Sequence, residues 1–168
     1  MRSGSSRSST FQNSGALTRS KIPERFSKSC ERNGTIRLTK RLLFDTHAFL
    51  AFFNREEGSE KIKEFFDAVQ NGETEGFVAV ITLTELAYIY TRNAGADVAR
   101  LRVMQIRGSN LNIIPLIPEI AVEAGLLKQP GISIADAIIA ASARSVGAAV
   151  VTNDPHFSAL GVEVNGYR

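Results

Sequence analysis

The chain has little with which to cross-link or anchor itself. A single cysteine, Cys30, stands among 168 residues. That excludes an intrachain disulfide and fits a reducing compartment. No apolar run approaches the roughly 18 residues that a membrane span needs. The opening "MRSGSSRSSTFQNSG" also lacks the apolar stretch of a signal peptide. These absences point to a soluble, cytoplasmic protein with no membrane contact. An acidic surplus is missing as well, since the formal charge is +3 and the pI about 9.2. That balance is uneven along the chain. Residues 1–40 hold nine Lys/Arg against two Asp/Glu, and residues 41–168 hold eleven against fifteen. The basic character belongs to the tail, so it does not by itself imply nucleic-acid binding.

What is present suits one domain with a real core, and the chain is too short for two comfortable ones. Residues 1–40 stand apart: nine serines and few large apolar groups cannot bury enough surface to offset ordering entropy. A disordered basic extension and spurious sequence translated upstream of the true start share this composition, and so does an organellar transit peptide. The domain is expected over residues 41–168.

There the texture alternates. "RLLF" reads as a short buried strand, and "THAFLAFFN" as an inward-facing helix or loop. In "SEKIKEFFDAVQNG", Ile62, Phe65, Phe66 and Val69 recur at helical spacing, with Ser59 placed to cap and Gly72 to stop the helix. "GFVAVI" is a second strand, followed by helices in "TLTELAYIYTRN" and "DVARLRVMQIR". "LNIIPLI" is a third strand, "PEIAVEAGLLK" a helix beginning on proline, and "SIADAIIAASARSVG" an Ala-rich helix closed by Gly147. "AAVVTN" and "GVEVN" supply a fourth and a fifth strand. Strands alternating with helices predict an α/β three-layer sandwich on a mainly parallel central sheet of four to five strands.

Four carboxylates stand out by position. Asp45 ends the first strand, Glu85 opens the helix after the second, Asp136 opens the Ala-rich helix, and Asp154 follows the fourth strand. Each is individually well explained as a cap. Thr82-x-x-Glu85 and Ser133-x-x-Asp136 fit the capping-box pattern, and Asp154 before Pro155 suits a turn. Three of the four lie just past the carboxyl end of a strand, where open α/β sheets build their sites. Carboxylates that converge there repel one another unless a cation neutralises them. Oxygen ligands with little histidine suit Mg²⁺ or Mn²⁺, and the natural chemistry is phosphodiester hydrolysis by metal-activated water.

"LLFDTHAFL", "ITLTELAYIY", "SIADAIIAASA" and "VVTNDPHF" resemble, in order and spacing, the signature segments of PIN-domain ribonucleases, and among these the VapC-like toxins of toxin–antitoxin pairs. The likeness spans roughly residues 41–165. It implies that Asp45, Glu85, Asp136 and Asp154 are catalytic and that Asp45, Asp136 and Asp154 hold the metal. It further implies that the fourth strand lies beside the first and that Thr152 supports the site. His47 stands where many members carry Asn, and it reads as a hydrogen-bonding or packing residue. Phe157 reads as an anchor for its loop. The resemblance also implies an RNA substrate, an antitoxin partner covering the crevice, and a homodimer.

Arg92, Arg100, Arg102, Arg107 and Arg144 are candidates for phosphate contact, each equally readable as part of a solvated helix face. No aromatic-rich stacking motif for single strands is evident. A nuclease of RNA processing without a toxin role, and a non-catalytic RNA-binding module, remain as alternatives; the second sits poorly with four filled acidic positions. An aspartyl phosphatase of the haloacid dehalogenase type fits less well. It wants a second Asp two residues after Asp45, where His47 stands, and a late lysine, whereas the last one is Lys128.

Overall fold

Runs such as "LLF" and "FVA", unbroken by polar residues, form strands buried on both faces, as parallel sheets require. The computed structural model describes residues 40–168. The extension expected over 1–40 lies, but for Lys40, outside the described residues. The elements are β1 (Lys40–Phe44), α1 (Thr46–Asn54), α2 (Ser59–Gln70), β2 (Thr74–Ala79), α3 (Val80–Ala94) and α4 (Ala96–Arg107). They continue with β3 (Asn112–Ile114), α5 (Pro118–Leu127), α6 (Ile134–Val146), β4 (Ala149–Val151), α7 (His156–Ala159) and β5 (Val164–Asn165).

The five strands form one sheet in the order β3-β2-β1-β4-β5, with every pairing parallel. Successive side chains point to opposite faces, and two cores follow. Leu43, Phe77, Ala79, Ile114 and Val150 pack with α5, α6 and α7. Leu42, Phe44, Val78, Ala149 and Val151 pack with α1 to α4. The result is the expected three-layer α/β sandwich. Small side chains let α6 lie against the sheet, and its residues from Ala137 to Ala143 are buried without a break.

A charge pair spans the sheet's entrance. Arg41 lies directly opposite Glu75 across the β1–β2 pair. Its Nε donates to Glu75 at 2.7 Å, and its Nη1 donates to the Val146 carbonyl at the end of α6. Gly76 is needed one residue on, since a Cβ there would meet Leu111 and Val69 within 2.8 Å.

Three local expectations are corrected. Ser59 is the first residue of α2 rather than its cap. The cap position falls to Gly58, at φ 87°, where a Cβ would also strike the Tyr167 carbonyl. Strand β2 stops at Ala79, because Val80 and Ile81 already belong to α3. With the helix starting that early, Thr82 is buried inside its first turn without side-chain capping, and Glu85 falls in the second turn. Thr82-x-x-Glu85 is therefore not a capping box. Short apolar runs do not distinguish strand from buried helix by periodicity, which is why "VI" was assignable to either.

Candidate active site

The strand order places the site. From β1 the chain winds outward to β2 and β3, then returns to the other side of β1 with β4. The crevice between the carboxyl ends of β1 and β4 is thus the point where the winding reverses, the usual location of ligands in such sheets. Asp45 leaves β1 there, and Thr152 leaves β4.

Asp45 is 1% exposed. A buried carboxylate is tolerable only with partners, and it has them. Its Oδ1 accepts from the Thr46 N–H as the N-cap of α1, and its Oδ2 accepts from the Thr152 hydroxyl at 2.9 Å. His47 Nδ1 stands 3.4 Å from the same Oδ2. The Asp45 backbone N–H reaches Val151 O across the β1–β4 pair. Thr152, itself fully buried, accepts from the Asp154 N–H at 3.0 Å. One hydroxyl thereby ties two carboxylate positions together.

Asp154 then turns the chain, its Oδ1 accepting from the His156 N–H at 2.9 Å, with His156 Nδ1 at 3.0 Å. Asp136 takes part in a complete capping box. It receives the Ser133 N–H on Oδ2, while its own N–H donates to the Ser133 hydroxyl. Glu85 reaches in from α3 and accepts from the Thr46 hydroxyl at 2.6 Å. One potential ligand atom each from Asp136, Asp154 and His156 lie within 4.8 Å of one another. Asp45 and Glu85 stand outside that tight group, joined to it through Thr152 and Thr46.

The PIN domain family model matches residues 42–163. The chain belongs to the PIN domain family. The fold of this PIN domain is also that of several solved structures. It resembles VapBC2 from Rickettsia felis bound to a DNA fragment from its promoter, at 20% identity and TM-score 0.61, covering 76% of this chain and 99% of the other. It resembles DNA-bound VapBC from Salmonella typhimurium at 23% identity and TM-score 0.60, covering 77% and 99%. A third is VapC20 from Mycobacterium tuberculosis, described as a sarcin-ricin loop cleaving toxin, at 17% identity and TM-score 0.60, covering 72% and 95%. Comparison with curated proteins finds no match.

The basic groups that stand against the carboxylates of the PIN domain's crevice are histidines, His47 beside Asp45 and His156 beside Asp154. Among the described residues no Lys or Arg forms an ion pair with Asp45, Glu85, Asp136 or Asp154. Two groups register this. Burial pushes the Glu85 carboxyl above its ordinary 4.5; the Thr46 hydrogen bond opposes that, and the charges of Asp45 and Asp136 add to it. His47 is raised above 6.5 chiefly by its hydrogen bond to Asp45, against burial, with help from the charges of Asp45, Asp154 and Asp136. Oxygen-rich donors with no Lys or Arg partner among the described residues are what a hard divalent cation needs, so the residues fit such an ion.

Sequence reasoning missed His156 and Thr46. Both lie within two residues of a recognised aspartate, and that proximity was the available signal. Of the five arginines, Arg100 pairs with Asp97, Arg144 with Glu123 and the Leu160 carbonyl, and Arg102 stacks over Phe53. Phe157 is fully buried, as a loop anchor should be. Among the described residues no helix is long and apolar enough to cross a membrane.

Proposed function

We propose that this PIN domain is a Mg²⁺- or Mn²⁺-dependent ribonuclease, the toxin of a toxin–antitoxin pair. The supporting observation is the chain of contacts that links carboxylates from four separate segments beside the β1–β4 switch point, Asp136 near Asp154, Asp154 to Asp45 through Thr152 and Asp45 to Glu85 through Thr46, with no Lys or Arg paired to any of them among the described residues. In this reading Asp45, Asp136 and Asp154 hold the ion, and Glu85 completes the catalytic set. Thr152 orients Asp45 and, through the Asp154 N–H, the turn that carries Asp154. Thr46 orients Glu85. When bound, such an ion activates water and stabilises the leaving oxygen of a phosphodiester.

The toxin reading draws on fold neighbours described as VapBC and as a sarcin-ricin loop cleaving toxin. It carries with it an antitoxin that covers the crevice, a homodimer, and action in the cytoplasm. The test is cleavage of a mixed RNA pool by wild type and Asp136→Asn in parallel, with chelator and with Mn²⁺ or Mg²⁺. Wild type should cut only with metal and the variant should not cut. Equal cutting by the folded variant contradicts the site. Growth arrest on expression, relieved by co-expressing a small protein encoded beside the gene, marks a toxin; cleavage without arrest marks RNA processing.

A further inference from the structure

Beside Asp136 and Asp154 the crevice holds a nitrogen donor. One ligand atom each from Asp136, Asp154 and His156 lie within 4.8 Å of one another, close enough for a single ion to touch all three. We infer that His156 is a direct ligand of the ion and that its imidazole makes the site prefer Mn²⁺ to Mg²⁺. The inference rests on the ribonuclease reading and deepens it, adding a ligand and an ion preference to the same site.

Spare lone pairs lie on this side of the crevice. Both oxygens of Asp45 already accept protein hydrogen bonds, from the Thr46 N–H and the Thr152 hydroxyl. Asp136 uses only Oδ2, for the Ser133 N–H, and Asp154 only Oδ1, for the His156 N–H. Among the described residues Asp136 Oδ1 and Asp154 Oδ2 accept no hydrogen bond, so each has an oxygen to give. The His156 backbone is held from both directions. Its N–H donates to Asp154, its carbonyl accepts from the Leu160 N–H at 3.2 Å, and Phe157 beside it is fully buried. Its half-exposed ring stands with Nδ1 3.0 Å from Asp154 Oδ1. His47, the other histidine of the chain, faces Asp45 instead, at 3.4 Å.

Ion chemistry turns this geometry into a preference. Mg²⁺ dehydrates reluctantly and takes oxygen ligands in a near-ideal octahedron, so exchanging a water for an imidazole gains it little. First-row transition ions accept imidazole readily, and among them Mn²⁺ also suits carboxylates. Two carboxylates and one imidazole therefore favour Mn²⁺ more than a set of oxygens alone would.

Pulsed electron paramagnetic resonance of Mn²⁺ bound to the full chain without RNA, beside calorimetric titration with Mn²⁺ and with Mg²⁺, tests this. Two histidines are all the chain has, so two variants account for every imidazole. Nitrogen coupling of the imidazole type should appear in wild type and in His47→Ala and vanish in His156→Ala. That variant should lose Mn²⁺ affinity about 10–100-fold, at least the cost of removing a ligand's supporting partner, and lose much less affinity for Mg²⁺. His156→Gln, which offers an oxygen in place of the nitrogen, should lose the coupling while still binding Mg²⁺. Coupling absent from wild type, surviving in His156→Ala or lost in His47→Ala instead overturns the inference and leaves the ribonuclease reading standing. Equal losses of both ions in His156→Ala also overturn it, making His156 only an orienting partner of Asp154. Wild type that binds neither ion defeats both.

Discussion

At Asp45 two explanations that compete in the sequence coexist in one carboxylate. Its Oδ1 caps α1 while its Oδ2 faces Thr152 and His47. Asp136 does the same, closing a capping box and standing within reach of Asp154 and His156. A cap fixes a carboxylate's rotamer before any ligand arrives, which is the preorganisation a metal site needs. Thr152 then becomes the residue to change. Thr152→Val keeps the shape but removes the hydroxyl shared by Asp45 and Asp154, and should weaken Mn²⁺ binding about 10–100-fold by calorimetry, the usual effect of losing a ligand's supporting partner. Glu85 offers a pH test without metal. Its folded pKa is raised, so its proton favours the folded state fully below 4.5, and that contribution is lost as pH rises through the folded value. In chelator, the melting temperature of wild type relative to Glu85→Gln should therefore fall as pH climbs above 4.5. Parallel curves would contradict the assigned burial. The places of the three aspartates beside strand ends and helix starts were legible because such positions have sequence signatures. Glu85's true depth in its helix, and Thr46 beneath it, were not, because they depend on where α3 begins.

Elements were legible where hydrophobic period and punctuation agreed. Helix α6 is the clearest case, with Ser133 and Asp136 at its start, Gly147 at its end and alanines between. There Ser133→Ala should cost about 1 kcal/mol and lower the melting temperature in chelator. Because Asp136 loses the partner that fixes it, metal affinity should fall as well; stability lost with affinity unchanged would make the cap purely structural. Where no loop separates elements, reading failed. Strand β2 passes directly into α3 at Ala79, and β-branched Val80 and Ile81 carry a strand-like local preference that the tertiary context overrides. Helix α7 was missed because its four residues are too few for a period to show. Gly58 rather than Ser59 takes the α2 cap position because the approach of Tyr167 leaves no room for a side chain, a contact across 109 residues that no local pattern records.

For the whole molecule, fold class followed from alternation alone, whereas strand order came only through resemblance to PIN domains. Alternating elements do not say on which side of β1 the fourth strand returns, and that choice brings Asp45 and Thr152 together. The described domain is acid-rich while the basic surplus lies mainly before Lys40, so the proposed site belongs to the acidic part of the chain. Binding that favours only the folded state should stabilise it: Mn²⁺ at 100 times its Kd adds about 2.7 kcal/mol, read as a rise in melting temperature that chelator reverses. The most direct measurement is a crystal soaked in Mn²⁺ with anomalous diffraction recorded at the manganese edge. A peak among the carboxylates of Asp136 and Asp154, at the mouth between β1 and β4, is the predicted result. A soaked crystal with that crevice free of anomalous signal, its aspartates capping their own helices and nothing more, would contradict the account.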